Sequence, residues 1–188
     1  RLVRLYGLPS PDAGTDLGAD AWPWQVRVRV LGRFALELDG EPVVFKGKVP
    51  RKPLALLGAL VCFGGRDVPL ARLADALWPD QDGDDALRAL NTALFRLRAL
   101  LGRGDALVVA DGRISIDRTL MWTDLHAFEA ACAAADRGDV SALHRAQALY
   151  RGALLDGEDD AVWAIDARER LHRRSQRVFA LVGTSVPN

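Results

Sequence analysis

The chain has 188 residues, 49% of them hydrophobic and 27% charged, so it can bury a core and is not intrinsically disordered. Lysine plus arginine and aspartate plus glutamate both number 25, which excludes a globally basic coat protein or an acidic tail and leaves only local charged patches as binding faces. No apolar run is long enough for a transmembrane helix, and Cys62 and Cys132 lie singly in apolar stretches, as buried thiols of a reducing, cytoplasmic compartment do.

Residues 1–25 lack sustained periodicity and read as a linker, with Trp22-Pro23-Trp24 expected to cover a sheet edge. From Val26 the period is two: Val26, Val28 and Val30 alternate with arginines, and Phe34, Leu36 and Leu38 alternate with Ala35, Glu37 and Asp39. Asp39-Gly40 predicts a tight hairpin turn, and Val43-Val44-Phe45 a third strand of an antiparallel meander. Pro50 and Pro53 suit a helix start, and Leu54 to Phe63, apolar almost all round, predicts a central buried helix ended by Gly64-Gly65. A second helix is expected over Leu70 to Trp78, before Pro79 and an acidic stretch.

The third predicted helix, about Asp84 to Leu101, carries one leucine stripe: Leu87, Leu90, Leu94, Leu97 and Leu101. At about 100° per residue the opposite face holds Arg88, Thr92, Phe95, Arg96 and Ala99, with Asn91 and Arg98 at its flank. Asp84 or Asp85 is expected to cap this helix and Gly102 to close it. Leu107 to Val109 and Ile114 to Ile116 then flank Asp111-Gly112, a strong hairpin signal with Arg113 near the tip. Beyond Thr123 three amphipathic helices are expected, over Leu125 to Asp136, Val140 to Arg151 and Val162 to Val182.

No catalytic constellation is present in the sequence. His126, His144 and His172 are too far apart for an HExxH-type pair, and Gly47-Lys48 lacks both the spacing and the Ser or Thr of a phosphate loop. Asp156, Glu158, Asp159 and Asp160 lack the alternating ligand spacing of a calcium loop. The chain is therefore expected to be no enzyme and to use neither metal nor cofactor.

Charge is more informative. Residues 26–118 hold 15 Lys and Arg against 12 Asp and Glu, whereas residues 119–188 hold 8 against 10. All three lysines, Lys46, Lys48 and Lys52, cluster with Arg51 before the first helix, where they are expected to meet phosphates. Arg98 is expected to join them, and Arg113 to reach a phosphate or the minor groove. Arg88, Asn91, Thr92 and Arg96 are the residue types that pair with base edges. Phe95 is expected to pack on another element in preference to a sugar or a thymine methyl. Asp80, Asp82, Asp84 and Asp85 are expected to face away from DNA.

These residues carry a resemblance. Val30-Leu31-Gly32-Arg33-Phe34 with Asp39-Gly40, Arg51-Lys52, Leu73-Ala74-Asp75-Ala76-Leu77-Trp78, Leu90-Asn91 and Arg96-Leu97-Arg98 resemble the OmpR-type winged-helix DNA-binding domain, in the version found in bacterial SARP-group regulators and large ATP-dependent transcriptional regulators. Thr123-Asp124-Leu125-His126-Ala127-Phe128-Glu129, Ala148-Leu149-Tyr150-Arg151-Gly152 and Ala167-Arg168-Glu169-Arg170-Leu171 resemble the bacterial transcriptional activator domain that follows it, in a shorter form than is usual. The resemblance implies an α+β winged helix over 26–118, with an N-terminal antiparallel sheet and a C-terminal hairpin wing, then an all-α TPR-like domain over 119–188. It implies a transcriptional regulator of promoter DNA, with the third helix in the major groove and RNA polymerase or another protomer on the helical domain. Upstream domains of a larger protein are expected before it. The competing reading is a protein-interaction (adaptor) module that binds no DNA.

Overall fold

The computed structural model describes residues 22–184, with side chains to Leu181. The described residues are α+β, with two small sheets and six α-helices. Strands β1 (Val26–Arg29), β2 (Ala35–Leu38) and β3 (Glu41–Pro42) form a meander. Asp39 and Gly40 both take positive φ, 49° and 88°, as the two central residues of this tight turn must. The third strand is only two residues long and precedes the predicted Val43 to Phe45. The two-residue turn pairs Glu41 with Leu38 and Pro42 with Glu37, and the chain leaves the sheet after the Val43 N–H donates to the Leu36 carbonyl at 2.8 Å. Val44 is consequently 77% exposed.

Helices α1 (Arg51–Cys62), α2 (Leu70–Leu77) and α3 (Gly83–Leu101) follow, with the short strand β4 (Val68–Pro69) leading into α2. Helix α1 is buried on nearly every side from Leu56 to Cys62, as its apolar run predicts. Helix α3 begins one residue after Asp82, so its N-cap is Asp82 and not Asp84 or Asp85, which occupy the first turn. Gly102 ends it in the left-handed conformation, at φ 63°. Strands β5 (Leu107–Ala110) and β6 (Arg113–Ile116) form the predicted hairpin around Asp111-Gly112, and β4 joins the edge of β6.

The N-terminal sheet is not purely antiparallel. Strand β7 (Met121–Thr123) lies parallel to β1, pairing Val26 with Met121 and Val28 with Thr123, in the order β3-β2-β1-β7. This pairing draws the start of the helical layer into the sheet. The layer comprises α4 (Asp124–Ala135), α5 (Val140–Leu149) and, after a 3₁₀ turn, α6 (Ile165–Thr184). Thr123 caps α4 by accepting from the His126 N–H at 3.2 Å, and Asp139 caps α5 by accepting from Ala142 at 3.1 Å.

Asp124 makes the joint. Its carboxylate is buried and accepts the Val30 N–H at 2.8 Å and the Leu31 N–H at 3.0 Å, just where β1 ends. Beyond it, the Leu155 N–H donates to the Val30 carbonyl and the Gly32 N–H to the Ala153 carbonyl. Gly152 sits so close to Gly32 that a Cβ would lie 3.2 Å from its Cα. One continuous apolar core therefore runs from Val26, Val28 and Leu57 through Trp122 to Phe128 and Leu171. Cys62 and Cys132 are both buried in it as free thiols, and burial pushes the Cys62 thiol up to about 12.

Burial raises the Asp124 pKa to about 6, against the opposing pull of the Val30, Leu31 and Leu125 N–H groups. Burial, and next the nearby Arg118 charge, push His126 down to about 4. The signs oppose. The stability contributed by Asp124 is present below its unfolded pKa of about 3.8 and is lost as pH rises through about 6. That contributed by His126 is present above 6.5 and is lost as pH falls through about 4. Asp124→Asn leaves one carbonyl for two buried N–H groups and should cost about 1–3 kcal/mol at pH 7. It should also unmask His126, so the variant loses stability between pH 6.5 and 4 more steeply than the native chain. Urea denaturation across that range reads both effects; parallel pH profiles would contradict the account.

Candidate nucleic-acid interface

Helix α3 divides cleanly between core and solvent. Leu90, Ala93, Leu94, Leu97 and Leu101 are buried against α1 and α2, with Leu87 half-buried. Arg88, Asn91, Thr92, Phe95, Arg96 and Ala99 are exposed. The leucine stripe thus fixes which face points outward, and four candidate base-reading side chains share that outward face.

Their chemistry is more constrained than the sequence suggests. Arg88 pairs with Asp85 one turn earlier. Asp85 therefore does not face away from the candidate interface, because residues three apart on a helix are neighbours. The Thr92 hydroxyl donates to the Arg88 carbonyl at 3.0 Å, which leaves its lone pairs and methyl group for other contacts. Among the described residues Phe95 packs on no other element: it is 74% exposed, contrary to expectation, because the leucine stripe already fills the seam with α1 and α2. The side chains of Asn91 and Arg96 make no hydrogen bond or ion pair among the described residues.

The basic residues separate into two groups. Lys46, Lys48 and Arg51 are exposed, and their side chains are likewise unpaired among the described residues. They precede and open α1, whose first turn holds no acidic residue and whose N-cap, Pro50, offers no side-chain acceptor. The other three tie the fold together. Lys52 donates from Nζ to the Leu77 carbonyl at 2.6 Å and lies 4.9 Å from the Trp78 ring centre. Arg113 donates to the Asp67 carbonyl at 2.7 Å, pinning the hairpin to the approach of α2. Arg98 donates to the Leu107 carbonyl at 2.8 Å and so links the end of α3 to the start of the hairpin. A half-buried guanidinium held this way cannot turn to a phosphate without releasing Leu107.

A second cationic feature escaped the sequence reading. Arg170, Arg173, Arg174 and Arg177 recur at helical spacing along α6 and line a cleft with Glu129. Their i, i+3, i+4, i+7 spacing was the available signal. Their charge is largely answered: Arg170 faces Glu129 at 3.8 Å, Arg173 faces Glu169 at 3.2 Å, and Arg174 and Arg177 share Asp136. Among the described residues no helix is long and apolar enough to cross a membrane, and no group of His, Cys, Asp and Glu could hold a metal ion.

Three helices, a hairpin beside them and a helical layer joined through a shared sheet define the class of fold. Within it, the chain is similar to the solved structure of Mycobacterium tuberculosis EmbR in complex with a low affinity phosphopeptide, with a TM-score of 0.63 and 24% sequence identity. The match covers 82% of this chain and 44% of that one, so the chain spans less than half of the EmbR structure. No family model and no curated protein matches the sequence.

Arg98→Ala should lower stability by about 1–2 kcal/mol, because the Leu107 carbonyl loses a charge-assisted donor. Urea denaturation checks this. An unchanged midpoint with weakened DNA binding would return Arg98 to the phosphate-contacting set.

Proposed function

We propose that the chain is a sequence-specific DNA-binding transcriptional regulator of the bacterial SARP type. In this reading residues 26–118 form an OmpR-type winged helix, α3 enters the major groove of promoter DNA, and the β5–β6 hairpin is the wing. Residues 119–188 form a short TPR-like activator domain that contacts another protomer or RNA polymerase. The observation that carries the reading is the outward face of α3, where Arg88, Asn91, Thr92 and Arg96 are exposed together above a leucine seam. Fold similarity to EmbR supports the architecture; the phosphopeptide belongs to that complex.

Base readout falls to Arg88, Asn91, Thr92 and Arg96, and phosphate contact to Lys46, Lys48 and Arg51. Lys52, Arg98 and Arg113 act by holding these elements in place. The Asp85 carboxylate orients Arg88 and screens it from indiscriminate phosphate contact.

Fluorescence anisotropy of the chain against random duplex and against a site selected from a randomised pool, repeated across salt, tests the reading. Arg88→Ala should cost roughly 1–3 kcal/mol on the selected site and little on random DNA. Lys46→Ala should weaken both similarly and flatten the salt slope by about one. Equal losses on both duplexes for Arg88→Ala would remove its base-reading role. Salt-insensitive, weak binding to every duplex would favour an adaptor module, in which the exposed Phe95 docks a protein.

A further inference from the structure

We propose that Phe95 is a specificity-determining residue that reads the 5-methyl group of a thymine, so that the preferred site carries thymine opposite the middle of α3. The inference rests on the DNA-binding reading and deepens it. At about 100° per residue, Arg88, Asn91, Thr92 and Ala99 all lie within about 60° of Phe95 around the helix, whereas Arg96 lies about 100° away. The ring is thus the centre of the outward arc, the part of a groove-bound helix that points at base edges and not at the backbone walls.

Among the described residues nothing needs an aromatic ring there. The seam with α1 and α2 is closed by Leu90, Ala93, Leu94 and Leu97, while Phe95 stands 74% exposed with no ring partner among the described residues. Its immediate surroundings are less polar than the residue names suggest, since Thr92 turns its hydroxyl to the Arg88 carbonyl and Ala99 adds only a methyl. A phenyl ring can neither donate nor accept an ordinary hydrogen bond. The one apolar group displayed on major-groove base edges is the thymine methyl. Burying that methyl against the ring removes apolar surface on both sides, and every other base edge would instead lose hydrogen-bonding water to a group that cannot replace it.

The test uses the intact chain and a duplex selected by it from a randomised pool. Each thymine of that duplex is replaced in turn by deoxyuridine, which deletes the methyl and keeps the hydrogen-bonding edge. The native chain should bind about fourfold more weakly at one replacement, or at two adjacent ones, as expected for one buried methyl-sized group. Phe95→Ala, a change at an exposed position, should keep the native helical circular dichroism and bind the thymine and deoxyuridine duplexes equally. The inference alone is overturned if the selected site lacks thymine there, if every replacement binds like the parent, or if Phe95→Ala keeps the native preference. Failure to enrich any duplex would overturn the DNA-binding reading, and this inference with it.

Discussion

The fold turns on one buried carboxylate. Asp124 accepts the last N–H groups of the β1 edge, and through them fixes where the helical layer begins relative to the sheet. A desolvated charge in that position is costly by itself, and backbone N–H donors offset the cost by replacing the water it loses. Because Asp124 directly follows β7, the same contact sets the parallel register of β7 on β1. Phe128 then packs with Tyr150, and Tyr150 with Phe179, which carries the order outward from α4 to α6.

The same rigid frame presents α3. Helix α1 is buried under the sheet and the helical layer alike, with Gly58 allowing Leu155 and Trp163 to approach its backbone. Helix α3 lies on α1 through its leucine seam, so the outward arc from Arg88 to Ala99 has little rotational freedom. Arg98 and Arg113 then fasten the hairpin to the helical core at two separate points. Both are basic residues whose hydrogen bonds go to backbone carbonyls and hold the hairpin in place.

How much of this was legible in the sequence depended on range. The α3 stripe, the two Asp-Gly turns and the buried thiols are local patterns, and period or turn chemistry alone specifies them. Strand β7 is three residues long, too short to show a period, and its partner lies some 95 positions earlier in the chain. The role of Asp124 has no local signature, because the N–H groups it accepts, those of Val30 and Leu31, are distant in sequence. For the site, helical geometry correctly placed Arg88, Asn91, Thr92 and Arg96 outward. It could not reveal that Lys52, Arg98 and Arg113 are tied to backbone carbonyls, since a side chain's charge does not disclose its partner. Phe95 was misjudged for a related reason: hydrophobicity argues for burial, but the core had no vacancy on that side.

The chain thus offers two arginine-bearing helical faces of different character. On α6 the guanidinium groups meet Glu129, Asp136 and Glu169, whereas on α3 Arg96 and Asn91 stand unpaired among the described residues beside an exposed ring. Backbone amide shifts of the ¹⁵N-labelled chain, followed while a selected duplex is titrated in, distinguish these faces most directly. The account predicts perturbations centred on residues 88–96, with weaker ones at 46–51 and at the 111–113 turn. Perturbations confined to residues 170–177, with α3 unchanged, would contradict it.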